Sequence, residues 1–137
     1  MERTLVLLKP EALKRGICGE IIARFERRGF KIVGMKMLRM DREMAREHYK
    51  VHEGKPFFEG LIEHITSGPI IAMVLEGPSA VRVVRDMMGA TDPLNSPPGT
   101  IRGDYGLHIG ENIIHGSDSL ETAEREIKLF FRDDELL

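Results

Sequence analysis

Asn112-Ile113-Ile114-His115-Gly116-Ser117-Asp118-Ser119 sets one histidine between small and polar residues, where a strand-like stretch runs into a helix. Ile113 and Ile114 bury the backbone on one side, and Gly116 lets another group approach closely. Ser117, Asp118 and Ser119 supply hydroxyl and carboxylate partners before the next helix opens. An imidazole near its free pKa of about 6.5 is largely neutral at pH 7 and can attack an electrophile unaided. From spacing alone the same residues also read as a histidine that ends a strand and is satisfied by Ser117.

Working outward, Thr4 to Leu8 is a nearly continuous apolar run, as in a central buried strand, and Pro10 suits the first position of a helical turn. Gly19 to Arg28 carries Ile21, Ile22 and Phe25 at helical spacing, with Gly29 as its stop. Phe30 to Leu38 reads as a second strand with Val33, Met35 and Met37 on one face. Asp41 caps a helix whose stripe is Met44, His48 and Val51, up to Gly54. Another helix starts at Pro56 and buries some of Phe57, Phe58, Leu61, Ile62 and Ile65. Ile70 to Leu75 is a third strand. Ser79 caps a helix with Val83, Val84 and Met87 inward, ended by Gly89. Residues 90 to 103 read as a Pro/Gly-rich loop long enough to suggest function. A short fourth strand is expected near Leu107 to Ile109. The final helix has Asp118 and Glu121 in its first turn and Leu120, Ala123, Ile127 and Phe130 as its stripe. This order is that of a split βαβ unit.

The chain of 137 residues is read as one domain, residues 1–137, able to bury roughly two-thirds of its unfolded surface. Its 20 basic and 22 acidic residues leave a net charge of −2, against a general nucleic-acid or membrane-surface binder, so any polyanion site must be built locally. The single cysteine, Cys18, reads as a packing residue. No signal-peptide pattern or membrane-length apolar run is present, and a cytoplasmic protein is expected. The chain has no glutamine and only two asparagines, which fits a heat-adapted source, although its eight methionines run the other way.

Read with Ile101-Arg102-Gly103-Asp104 and Glu126, the histidine motif closely resembles the active-site signature of nucleoside diphosphate kinases. The resemblance extends in order through Leu8-Lys9-Pro10, Gly29-Phe30, His48-Tyr49, Lys55-Pro56-Phe57-Phe58, Thr66-Ser67-Gly68-Pro69, Arg85, Met88-Gly89-Ala90-Thr91 and Pro98-Gly99-Thr100. It implies an α/β chain of the α+β type: a ferredoxin-like split βαβ fold with a four-stranded antiparallel sheet covered by helices. It also implies reversible transfer of the γ-phosphate of a nucleoside triphosphate, mainly ATP, to a nucleoside diphosphate. The mechanism would be ping-pong, through phosphorylated His115.

Neither a Gly-x-x-x-x-Gly-Lys-Ser/Thr loop nor a Gly-x-Gly-x-x-Gly turn is present, so separated side chains must meet the phosphate charge. Singly, Lys9, Arg85 and Arg102 read as solvated cations. The resemblance assigns them, with Thr91, to the triphosphate, and Mg²⁺ would come with the nucleotide. It assigns Lys9 and Asn112 to the sugar 3′-hydroxyl, and Phe57 and Ile109 to the base. Such apolar stacking carries no hydrogen-bond code, and broad base tolerance follows. Tyr49, Ser117 and Glu126 complete the site, with Glu126 reaching back to the histidine ring directly or through Ser117 and fixing its tautomer. His48 and His52 at i, i+4 lack a third metal ligand, and His48 lies on an apolar stripe. His64 and His108 read as satisfied or exposed.

The first motif departs from the family by reading Lys9-Pro10-Glu11 where aspartate is usual, which puts local capping geometry in doubt. The chain ends at Phe131-Arg132-Asp133-Asp134-Glu135-Leu136-Leu137, short of the tail of many eukaryotic members. A homo-oligomer is expected, with hexamer and tetramer both open. The rival reading is a non-catalytic nucleotide-binding or scaffold protein on the same fold; an RNA-recognition module would need clustered strand aromatics and a basic face.

Overall fold

The computed structural model describes all residues from Met1 to Leu137. The strands are β1 (Glu2–Leu8), β2 (Lys31–Leu38), β3 (Ile70–Gly77) and β4 (Ile114–Gly116). They form one sheet in the order β2-β3-β1-β4 with every neighbouring pair antiparallel. The helices are α1 (Pro10–Lys14), α2 (Cys18–Arg28), α3 (Arg42–His48), α4 (Phe58–Ile65), α5 (Ala80–Met88), α6 (Ile101–Tyr105) and α7 (Leu120–Phe130). This is the ferredoxin-like arrangement.

The continuous apolar run of β1 has a direct cause: the sheet is covered on both faces, so every residue from Leu5 to Leu8 is fully buried. Leu5 and Leu7 pack with Phe58, Ile62, Ile65 and Phe130 of α4 and α7. Val6 and Leu8 pack with Ile21, Phe25, Val84 and Met88 of α2 and α5. Each such leucine contributes about 1.5–3 kcal/mol through burial.

Gly29 ends α2 in a left-handed conformation (φ 112°), and Asp41 accepts a hydrogen bond from the Met44 N–H at 2.8 Å, as local signals predict.

Several expectations are corrected. The fourth strand is Ile114–Gly116, not Leu107–Ile109, because only the former pairs with β1. A bulge between Ile32 and Gly34 resets the pleat of β2, so Val33 is buried while Met35 and Met37 are exposed. Helix α3 stops at His48, a 3₁₀ turn follows over Lys50–His52, and Val51 is exposed. Ser79 has φ 50° and makes no cap hydrogen bond. The buried face of α5 is Ala80, Val81, Val84 and Met88; Val83 and Met87 are half-buried. Arg102 lies on α6 rather than in a loop, with Thr100 capping that helix through the Gly103 N–H. Ser119 is the N-cap of α7, which puts Asp118 outside it, and Leu120 is exposed.

Candidate functional site

The site gathers where the C-terminal end of β1 meets β4. In the register, His115 faces Leu7, and the Lys9 N–H donates to the Ile113 carbonyl at 2.8 Å. The first βα connection therefore lies against the histidine motif. The Lys9 ammonium donates to the Asn112 side-chain carbonyl at 2.6 Å, and the Asn112 amide donates to the Thr91 carbonyl at 3.0 Å. Three segments remote in sequence converge there.

The His115 Nε2 stands 3.1 Å from both Glu126 carboxylate oxygens. Ser117 donates its hydroxyl to Glu126 at 2.7 Å and accepts the Leu5 N–H at 3.3 Å. Glu126 thus reaches the ring directly, and Ser117 touches the carboxylate rather than the ring. Helix periodicity brings Glu126 inward on the face that also carries Ala123 and Phe130. Burial pushes the Glu126 carboxyl up, but His115 first and then the Ser117 hydroxyl oppose it, and the carboxyl lies below the usual carboxylate range.

His48 lies on the apolar stripe of α3 and is buried in the core, yet its ring packs edge-on to that of His115. Burial and the neighbouring His115 hold it neutral, with a pKa near 3, although Glu126 pulls the other way. Tyr49 follows, its ring centroid 4.6 Å from that of His48, and burial raises its phenol well above the ordinary value.

The cations are poised differently. Burial, then repulsion from Arg102, lowers Lys9 to a pKa of about 8, with Glu11 opposing. Burial and Arg85 lower Arg102 to about 10. Positive groups that depress one another mark a site short of negative charge. Arg85, exposed on α5, spends one N–H on the Gly116 carbonyl at 3.1 Å. Arg102 is more committed: it donates to the carbonyls of Asn112, Gly89, Ala90 and Ile114 at 2.6–3.3 Å. It ties the loop after α5 to the nucleophile strand and keeps one of its five N–H donors free. Thr91, Phe57 and Ile109 are exposed. The Phe57 ring packs near that of His52, with centroids 5.3 Å apart.

Glu11 plays a larger part than local capping. Its Oε2 accepts the Ile113 N–H at 2.9 Å, and its Oε1 lies 2.8 Å from His64 Nε2. Ile113 has φ 78°, in the left-handed region, a conformation costing a branched residue on the order of 1–3 kcal/mol.

A ferredoxin-like sheet whose histidine–carboxylate pair is surrounded by clustered cations has the makings of a phosphotransferase. Residues 2–136 match the family model described as nucleoside diphosphate kinase. The nucleoside diphosphate kinase of Pelotomaculum thermopropionicum is 63% identical over 100% of this chain and 92% of its own length. That of Thermus thermophilus is 59% identical over 100% of both chains. The structure of the halophilic nucleoside diphosphate kinase from Halobacterium salinarum, in complex with CDP, superposes with a TM-score of 0.97 at 56% identity, covering 99% of this chain and 91% of that one. The chain belongs to the nucleoside diphosphate kinase family and is, with it, a phosphotransferase acting on nucleotides. No helix is long and apolar enough to cross a membrane.

Proposed function

We propose that His115 is the phosphoryl carrier in a ping-pong exchange between a nucleoside triphosphate, mainly ATP, and a nucleoside diphosphate. The carrying observation is the placement of Nε2 against both oxygens of Glu126. With the Nε2 proton donated there, the lone pair resides on Nδ1, and the Ser117 bond keeps the carboxylate from rotating away. Nδ1 forms a bond to the γ-phosphorus as the bond from that phosphorus to its bridging oxygen breaks, and the bridging oxygen leaves with the electron pair on the diphosphate. Glu126 stabilises the positive charge left on the ring. A second diphosphate enters the same pocket, its terminal oxygen attacks the phosphorus, and the N–P electrons return to Nδ1.

Lys9, Arg85, the remaining Arg102 N–H and Thr91 receive the phosphates, while Lys9 and Asn112 hold the sugar hydroxyl. Tyr49 walls the pocket beside His48. Phe57 and Ile109, both exposed and neither carrying a polar group that could read a base edge, support stacking of any base. The one cluster of His, Cys, Asp or Glu groups with metal-ligand spacing is His48, His115 and Glu126, which contains the nucleophile itself. Mg²⁺ is therefore part of the substrate, arriving with the nucleotide and offsetting phosphate charge.

The same reading makes the protein cytoplasmic and a homo-oligomer; the exposed Met35 and Met37 on the edge strand β2 support the oligomer alone. Sedimentation velocity separates hexamer from tetramer.

The test is intact-mass spectrometry after mixing with Mg·ATP, then with GDP. One acid-labile phosphate on His115, lost as GTP appears, is expected. Wild-type phosphate uptake by His115→Ala would overturn the assignment, and nucleotide binding without phosphate gain would move the chain to a scaffold role.

A further inference from the structure

Ile113 closes a three-residue turn, with the Ile114 N–H donating to the Asn112 carbonyl at 2.8 Å, and the left-handed backbone at its centre is disfavoured for a branched side chain. Such a turn persists only where its surroundings over-determine it. Two groups do so here. The Lys9 N–H binds the Ile113 carbonyl, and the Glu11 carboxylate binds the Ile113 N–H. Glu11 is buried, and its second oxygen lies 2.8 Å from His64 Nε2 on α4, a close approach in which neither atom completes a hydrogen bond. One carboxylate therefore joins α1, α4 and the turn between Asn112 and His115.

The turn has a defined consequence for chemistry. Asn112 is anchored by Lys9 and the Thr91 carbonyl, and His115 by β1 and Glu126. Two residues separate the anchors, so the turn sets the offset between them. We propose that Glu11, braced by His64, is a positioning residue for phosphoryl transfer, fixing this turn and with it the aim of His115 at the phosphorus of a nucleotide held through Asn112. The inference rests on the His115 reading above. Burial pushes the Glu11 carboxyl up, but His64 and backbone N–H groups more than offset this, keeping it charged at neutral pH. Glutamate reaches both partners; aspartate, one methylene shorter, is expected to keep Ile113 at the expense of His64.

The experiment is rapid-quench phosphorylation by saturating Mg·ATP in wild type, Glu11→Ala, Glu11→Gln, Glu11→Asp, His64→Ala and the Glu11→Ala/His64→Ala pair, with ADP affinity by calorimetry. Misalignment of about 1 Å costs up to 10²-fold, so Glu11→Ala is expected to slow His115 phosphorylation tenfold or more while ADP affinity stays within threefold. Glu11→Asp should match His64→Ala at an intermediate rate, and adding His64→Ala to Glu11→Ala should change nothing further. A purely structural Glu11 would lower the melting midpoint and leave the rate of the folded enzyme at the wild-type value; that result overturns the proposal, as does an additive double variant. If Glu11→Ala does not fold, Glu11→Gln, which keeps the volume and loses the charge, decides by the same criterion. Wild type that takes up phosphate while the variants match it sinks only the positioning role; wild type that takes up none sinks the His115 reading and this inference with it.

Discussion

The His48 ring meets the His115 ring edge-on, centroids 4.7 Å apart and planes at 81°. Neither His48 nitrogen has a hydrogen-bond partner, and Glu126 Oε2 lies 3.6 Å from its Nδ1, beyond hydrogen-bond reach. His48 therefore acts as a neutral aromatic wall, also edge-on to Phe130 at 5.4 Å. His48→Phe should keep the exchange rate within about threefold, whereas truncation to alanine should cost about 2–5 kcal/mol in denaturant unfolding. The phenylalanine variant should also differ at acid pH. An unfolded chain protonates His48 near pH 6.5, and the folded protein only near 3. The unfolded state thus binds more protons below 6.5, and stability falls as pH drops from about 6.5 towards 3. His48→Phe should flatten that limb; an unchanged limb would refute the buried neutral ring.

Lys9 should govern the alkaline side. With its pKa lowered to about 8, the ammonium is charged below that pH and lost above it. The kcat/KM for Mg·ATP, which reports the free enzyme, should decline by about tenfold per pH unit above 8. Stability should run the other way, rising between about 8 and 10.5, because there the unfolded chain still binds the proton. Opposite slopes in the two measurements point to one buried cation.

Arg102→Lys should weaken the fold as well as the site. The guanidinium spans four carbonyls from two segments, and an ammonium is a single point that cannot. Buried carbonyls left short of donors cost about 1–3 kcal/mol each, so a loss of roughly 3 kcal/mol in urea unfolding is expected. A variant with native stability and a raised KM alone would make Arg102 a phosphate ligand only.

What was legible in the sequence follows the range of the forces involved. Gly29 and Asp41 act within one turn, and the run Leu5–Leu8 reports burial on both faces, so these could be read directly. Strand β4 is three residues long and exists only because β1 pairs with it, which no local pattern announces. The bulge at Val33 shifts the alternation by one residue, and a period-2 reading cannot detect that. His48 and Glu11 were visible as residue types. Their partners, His115 and Ile113, lie 67 and 102 residues away, and the packing of α3 and α1 alone brings them together.

Ser117→Ala separates support of the nucleophile from support of the fold. Ser117 is fully buried and cannot touch a nucleotide, yet its hydroxyl joins the Leu5 N–H to Glu126. Removing it leaves a buried N–H without its acceptor and a carboxylate short of one donor, a cost of about 1–3 kcal/mol in unfolding free energy. Glu126 would also lose one of the groups that hold its carboxyl below the usual range, weakening its hold on the His115 ring. The expected kinetic result is a kcat about tenfold lower with an unchanged KM, since no nucleotide contact is altered. Single-turnover phosphorylation with Mg·ATP checks it: the same stability loss with wild-type phosphorylation would confine Ser117 to the joint between β1 and α7.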